Sequence, residues 1–134
     1  MRGFEIIEHT ADVGIRAHGA TLEELFEQAA RGLFDILDAW HPGAGEDVRV
    51  ELEPSDRAGA LVDWLNELLF IQETRDIVFT DLRVGKVEGG LDASVRVRPR
   101  AGTLEGTAVK AATWHQLEVE PDEAGWRARV YLDV

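Results

Sequence analysis

The segment WRARVYLDV, residues 126–134, alternates between apolar and polar side chains. An alternation with a period of two predicts a β-strand that turns one face to a core and the other to solvent. Asp133 lies on the polar face, and Val134 follows it with a main-chain carboxylate. The other face holds every second residue, namely Trp126, Ala128, Val130, Leu132 and Val134.

A similar alternation near the start of the chain predicts a second strand of the same kind. Val13, Ile15 and Ala17 alternate with small or polar residues, so residues 12–18 are predicted to be extended. Asp12 stands at the entrance of this strand, on its polar side. Apolar alternation and turn residues predict the other strands at 4–8, 48–52, 78–87, 91–97 and 109–120.

Two helices are predicted between these strands. Thr21 and Glu24 form a capping-box pattern, and apolar residues then recur at helical spacing to about residue 38. A second helix with a wide apolar face is predicted over 54–74. Because helices are few and strands run consecutively, the predicted class is α+β. We expect a two-layer fold, with a mainly antiparallel mixed sheet of six or seven strands and both helices packed on one face.

The composition limits the classes of function. The 134 residues fit a single domain over 1–134, and no apolar run approaches the roughly 20 residues that cross a bilayer. There is no cysteine and no pattern of a signal peptide, so we expect a cytoplasmic protein without membrane contact. The net charge of −12, with only two lysines, argues against direct binding to nucleic acid and favours a basic protein partner or cations.

The carboxylates at the two ends of the chain have two interpretations. If the strands that carry them are neighbours, Asp12, Asp133 and the main-chain carboxylate of Val134 form a set of oxygen donors that suits Ca²⁺ or Mg²⁺. However, an aspartate at a strand edge is most often a turn residue or half of a surface ion pair. No EF-hand spacing is present, so the pattern alone leaves both possibilities open.

Five segments, in this order and spacing, resemble the archease family: EHTADVGIRAHG, LEELFEQAARGLFDIL, LVDWLNELLF, VKAATWHQLEV and WRARVYLDV. The resemblance covers nearly the whole chain, and the combination of HTAD with an Asp-aliphatic end is its most specific part. It implies a protein that activates the RtcB-type RNA ligase of tRNA splicing. Such proteins promote guanylylation of the ligase and its multiple turnover without being enzymes themselves.

The resemblance also implies roles for individual residues. Asp12, Asp133 and Val134 correspond to the family's ligands for a divalent cation, expected to be Ca²⁺ or another ion such as Mg²⁺ or Mn²⁺. Lys110 falls where the family carries a functional basic residue, so it is expected to contact the ligase or its nucleotide. Apart from the resemblance, His9 is expected to orient the turn or to support Asp12 without binding the cation itself, since hard cations do not favour imidazole.

Two alternatives to the activator hypothesis remain. The chain could be a chaperone-like binding module with a structural cation, or a stand-alone metal-dependent phosphohydrolase. The sequence has no cysteine nucleophile and no G-x-S-x-G motif, which disfavours the hydrolase.

Some other features depart from the family or carry structural expectations. The stretch 98–109 lacks the histidine that many members carry there, and Glu105 is the candidate substitute for the family's acid. His115 is expected in the core. The four tryptophans are expected to supply buried area: Trp40, Trp64, Trp114 and Trp126.

Overall fold

The structure is a computed structural model that describes residues 2–8 and 12–134. Within these residues it has two helices, α1 (Leu22–Leu37) and α2 (Arg57–Arg75). Neither helix is both long enough and apolar enough to cross a membrane. The strands are β1 (Gly3–Glu8), β2 (Val13–Gly19), β3 (Glu46–Leu52), β4 (Ile77–Lys86), β5 (Leu91–Pro99), β6 (Ala111–Ala112), β7 (Glu118–Asp122) and β8 (Gly125–Asp133).

All the paired strands run antiparallel, and they form two sheets. In the first sheet the order is β1-β2-β8-β6, and β7 also pairs with β8. In the second sheet the order is β3-β5-β4. The α+β class, the antiparallel pairing and the two helices are confirmed. The described residues contain eight strands in two sheets, because one predicted strand is split and the chain changes sheet after β2 and again after β5.

Helix α1 begins and ends at residues that satisfy its free backbone groups. The Thr21 hydroxyl accepts a hydrogen bond from the Glu24 N–H at 3.1 Å, and the Glu24 carboxylate accepts one from the Ala20 N–H at 2.9 Å. Asp38 ends the helix in a left-handed conformation, with φ 58°. The predicted capping sequence therefore forms, although Glu24 reaches one residue further back than in the standard capping box.

The core lies between α1, α2 and the inner faces of the two sheets. Ile15 of β2 and Val130 of β8 face α1 and are fully or almost fully buried. Trp64 of α2 has no exposed surface and donates its indole N–H to the Phe26 carbonyl of α1 at 3.0 Å. The ring of Phe79 in β4 stacks on Phe34 at 3.9 Å, which joins the second sheet to α1. Both helices thus contribute to one continuous apolar core.

The strand predicted over 109–120 is wrong in its middle part. A turn at 113–117 divides it into β6 and β7, and there the Leu117 N–H donates to the Trp114 carbonyl at 3.3 Å. Gln116 adopts φ 50°, in the left-handed region and outside the β region that a non-glycine strand residue occupies. The Thr113 hydroxyl donates to the Tyr131 carbonyl at 3.0 Å, so a side-chain bond replaces part of the backbone ladder.

Candidate functional site

The strand that carries Asp12 and the last strand of the chain are neighbours. Strands β2 and β8 pair antiparallel, and the final pair of their register joins Val13 to Leu132. The same register, continued by one residue, sets Asp12 opposite Asp133. Residues directly opposed in an antiparallel pair have Cβ atoms about 4.5–5.5 Å apart, and their side chains share one face. The predicted convergence of the two ends of the chain is therefore confirmed at the level of strand pairing.

The burial pattern decides which face this is. Ile15 and Val130 point to α1 and are buried, so the alternating positions point away from the helix. Asp133 is exposed and Asp12 is half-buried, at the end of the first sheet and on its outer face. A one-residue slip would bury Asp133 and expose Leu132, so core formation selects this register.

Lys110 is brought to the same end of the sheet by β6. Its backbone N–H donates to the Asp133 carbonyl at 2.7 Å, and Ala111 is registered against Asp133. Continued by one residue, this ladder sets Lys110 opposite Val134. The Lys110 side chain is exposed. The structure thus gathers Asp12, Asp133, Val134 and Lys110 from three adjacent strands.

Asn66 of α2 holds this short edge strand in place. Its amide oxygen accepts from the Ala112 N–H at 2.8 Å, and its amide nitrogen donates to the Ala112 carbonyl at 3.3 Å. The side chain therefore satisfies both backbone groups of one β6 residue. An amide can both donate and accept a hydrogen bond, which the neighbouring carboxylates of Asp63 and Glu67 cannot do when ionised.

Replacing Asn66 with alanine is expected to lower the free energy of unfolding by about 1–3 kcal/mol. The reason is that the N–H and the carbonyl of Ala112, which is buried, both lose their hydrogen bonds to the Asn66 side chain. Urea denaturation measures this effect. Asp63→Ala is the matched control on the same helix, since Asp63 is exposed, and its change should stay within about 0.5 kcal/mol. Equal effects of the two substitutions would contradict the role of Asn66.

The donor set at this end consists of oxygen atoms. Over residues 2–8 and 12–134, no three histidine, cysteine, aspartate or glutamate side chains converge as metal ligands. Asp12 and Asp133 supply two carboxylates, and a third oxygen has to come from the main chain of Val134 or from water. Such a set fits Ca²⁺, Mg²⁺ or Mn²⁺ better than zinc.

Known proteins share this arrangement of strands and helices. The family model of the archease protein family (MTH1598/TM1083) matches residues 4–134. The chain belongs to the archease family. It is 38% identical to protein archease of Methanothermobacter thermautotrophicus, and the alignment covers 100% of both chains. It is 37% identical to protein archease of Methanosarcina mazei, over 98% of this chain and 95% of the other.

Solved structures agree with the family assignment. The solution structure of Methanobacterium thermoautotrophicum protein 1598 has a TM-score of 0.80 and 36% identity, and it covers 100% of both chains. The crystal structure of an archease from Thermotoga maritima, described as a possible chaperone, has a TM-score of 0.70 and 25% identity. That match covers 96% of this chain and 94% of the other.

The expectations for His9 and His115 have different outcomes. His9 lies outside the described residues, so its support of Asp12 stays a prediction. His115 is exposed, and its expected place in the core is wrong. The turn at 113–117 rotates it onto the outer face, where its ring lies 5.8 Å from that of Tyr131.

Tyr131 is a residue of this site that sequence reasoning missed. It lies on the outer face, two residues before Asp133, yet it is only 7% exposed. A Cβ at Gly14, its registered partner, would lie 2.9 Å from Tyr131 Cε1. The glycine therefore leaves room for the ring against the sheet, and a glycine within a strand is the sequence feature that indicates such an approach.

Basic residues further along the outer face are already paired. Arg16 lies opposite Arg129 in the β2–β8 register. Glu5 contacts Arg16 at 3.1 Å, and Glu118 contacts Arg129 at 3.4 Å. These carboxylates offset the repulsion between the two guanidinium groups. Arg16 and Arg129 therefore form ion pairs within the sheet and are not assigned to an anionic ligand.

The stretch that departs from the archease pattern is tied to the helix ends. The Thr107 N–H donates to the Ile36 carbonyl at 2.8 Å, and the Glu105 N–H donates to the Asp38 carboxylate at 3.1 Å. Arg100 contacts Asp76 at 2.7 Å, and this hydrogen bond lowers the pKa of the Asp76 carboxyl. The stretch is therefore anchored on the carboxyl ends of α1 and α2 before the chain reaches Lys110.

Proposed function

We propose that the protein is an accessory activator of the RtcB-type RNA ligase of tRNA splicing. It would promote guanylylation and multiple turnover of the ligase without catalysing a reaction itself. A divalent cation, Ca²⁺ or another ion such as Mg²⁺ or Mn²⁺, would be held by Asp12, Asp133 and Val134. The proposal rests on membership of the archease family and on the strand register that brings these residues to one end of the first sheet.

The juxtaposition of Asp12 and Asp133 is the observation that carries the proposal. Like charges directly opposed across two strands are destabilising. A cation bound between the carboxylates of Asp12 and Asp133 would relieve their repulsion. When bound, a hard divalent cation would offset phosphate charge, which is the main requirement of nucleotidyl transfer.

The chain's own residues would have distinct tasks. Asp12 and Asp133 present carboxylate oxygens at an accessible sheet end, and the backbone bond from Lys110 to Asp133 keeps the last strand in place. The exposed Lys110 side chain would contact the ligase or its nucleotide. His9 would orient Asp12. The net charge of −12 favours contact with a protein over contact with RNA.

Single-turnover guanylylation of a cognate ligase tests the proposal. The ligase is mixed with GTP and a divalent cation, with and without the protein, and the enzyme–GMP adduct is followed with time. We expect the protein to raise the rate of adduct formation and to permit repeated rounds of ligation. An unchanged rate at saturating protein would overturn the proposal.

A chaperone-like binding module is the second candidate, because the Thermotoga maritima relative is described as a possible chaperone. In that case the cation would serve only stability. The protein would then suppress aggregation of a heated client protein, and guanylylation of the ligase would not respond. Turnover of a phosphoester by the isolated protein with Mg²⁺ or Mn²⁺ would instead indicate a hydrolase.

A further inference from the structure

Large apolar side chains are exposed at three places over residues 2–8 and 12–134. Trp114 is 61% exposed, Phe70 is 60% exposed and Val134 is 38% exposed. Trp114 contradicts the expectation that every tryptophan supplies buried area. Tryptophan is enriched among the residues that contribute most of the binding free energy of protein interfaces. An exposed tryptophan beside other exposed apolar side chains therefore indicates a contact surface.

Trp114 belongs to the segment 110–114, and the other two side chains lie beside this segment. At its start, Lys110 is bonded to Asp133 and is therefore next to Val134. In its middle, Ala112 is bonded to Asn66, and Phe70 lies one helical turn beyond Asn66 on the same side of α2. We call the surface formed by Phe70, Lys110, Trp114 and Val134 the 110–114 face.

At the other end of the segment, Trp114 lies against the first turn of α2. A Cβ at Gly59 would lie 3.1 Å from Trp114 Cη2, so the glycine leaves room for the edge of the indole. The ring contacts the helix there while most of its surface stays open to solvent.

The backbone around Trp114 is held firmly. The Thr113 N–H and hydroxyl both donate to the Tyr131 carbonyl, at 2.9 and 3.0 Å. Arg129 donates two hydrogen bonds to the Gln116 carbonyl, at 3.2 and 3.0 Å. An aromatic anchor on a preorganised backbone loses little conformational entropy when it binds, which favours affinity.

Carboxylates border the same surface. Asp63 and Glu73 are exposed on α2, and Asp133 is exposed at the end of β8. The chain as a whole carries a net charge of −12. A complementary partner therefore has apolar pockets within a rim of arginine and lysine side chains.

We propose that the 110–114 face is the docking surface for the ligase, with Trp114 and Phe70 as its anchors. This inference rests on the proposed function. The occupant is the basic-rimmed surface beside the nucleotide site of the ligase, because the face is continuous with Lys110 and Asp133. Docking here brings the carboxylates of the sheet end to that site.

The test compares Trp114→Ala and Phe70→Ala with Arg83→Ala, a control on the second sheet. Ligase affinity is measured by calorimetry, guanylylation by single turnover and Ca²⁺ affinity by a separate titration. We expect each aromatic substitution to weaken ligase affinity by about tenfold or more and to leave Ca²⁺ affinity unchanged. Arg83→Ala should change neither value by more than about twofold.

The outcomes separate this inference from the proposed function. If the wild type activates the ligase and both aromatic variants bind as tightly as it does, the docking surface lies elsewhere. If the wild type neither binds nor activates the ligase, the proposed function fails, and this inference fails with it. A dimer of the wild type that Trp114→Ala abolishes in sedimentation would assign the face to self-association and overturn docking. Far-UV circular dichroism confirms that the variants are folded, and Trp114→Gln repeats the test with a polar side chain.

Discussion

Asp133→Asn is expected to abolish activation of the ligase and to weaken Ca²⁺ binding by more than about tenfold, because it removes one of two opposed carboxylates. Asp12→Asn should have the same effect. The amide is nearly the same size as the carboxylate and is exposed or half-buried at these positions, so the fold should be retained. Single-turnover guanylylation measures the first effect, and calorimetric titration with Ca²⁺ measures the second.

Asp47→Asn is the matched control for this prediction. It removes the same charge from the exposed face of the second sheet, where Asp47 contacts Arg96 at 3.1 Å. Activation by the control should equal that of the wild type. If Asp47→Asn loses as much activity as Asp133→Asn, the effect is one of net charge and not of a cation site.

Trp64→Ala is expected to lower the free energy of unfolding by about 3–5 kcal/mol, which is much of the stability of a domain of this size. Trp64 has no exposed surface and donates its indole N–H to the Phe26 carbonyl. The substitution leaves a cavity between α1 and α2 and removes the indole hydrogen bond to the Phe26 carbonyl. Urea or thermal denaturation, followed by circular dichroism, measures the change.

Two variants separate the causes of this loss. Trp64→Phe keeps much of the ring and removes only the indole hydrogen bond to the Phe26 carbonyl, so it should cost less than Trp64→Ala. Trp114→Ala removes the same side chain from an exposed position and should change the free energy of unfolding by less than about 0.5 kcal/mol. Similar losses for Trp64→Ala and Trp114→Ala would contradict the assignment of burial.

Local patterns in the sequence predicted the helices and most strands. Thr21 and Glu24 indicated the start of α1, and its apolar spacing predicted which side is buried. In β8, the period of two predicted that Val130 faces the core and Asp133 faces away. These features depend on residues a few positions apart, so the periodicity and the capping residues of each segment are enough to predict them.

The failures in prediction have a common physical cause. The strand expected over 109–120 is interrupted because Thr113 and Arg129 form bonds with carbonyl groups distant in the sequence. The same turn leaves Trp114 and His115 exposed, although His115 was expected in the core from its alternation and Trp114 was expected to supply buried area because of its size. A period of two describes side-chain faces, but it does not show where a partner strand ends.

The sequence by itself determined the class of fold, the faces of its strands and helices, and the acidic residues available at its two ends. Only the tertiary structure decided that β2 pairs with β8 in the register that opposes Asp12 and Asp133, and that Asn66 holds β6 beside them. The reason is physical: strand pairing between distant segments is selected by the core that all of them bury together, and no local pattern contains that core.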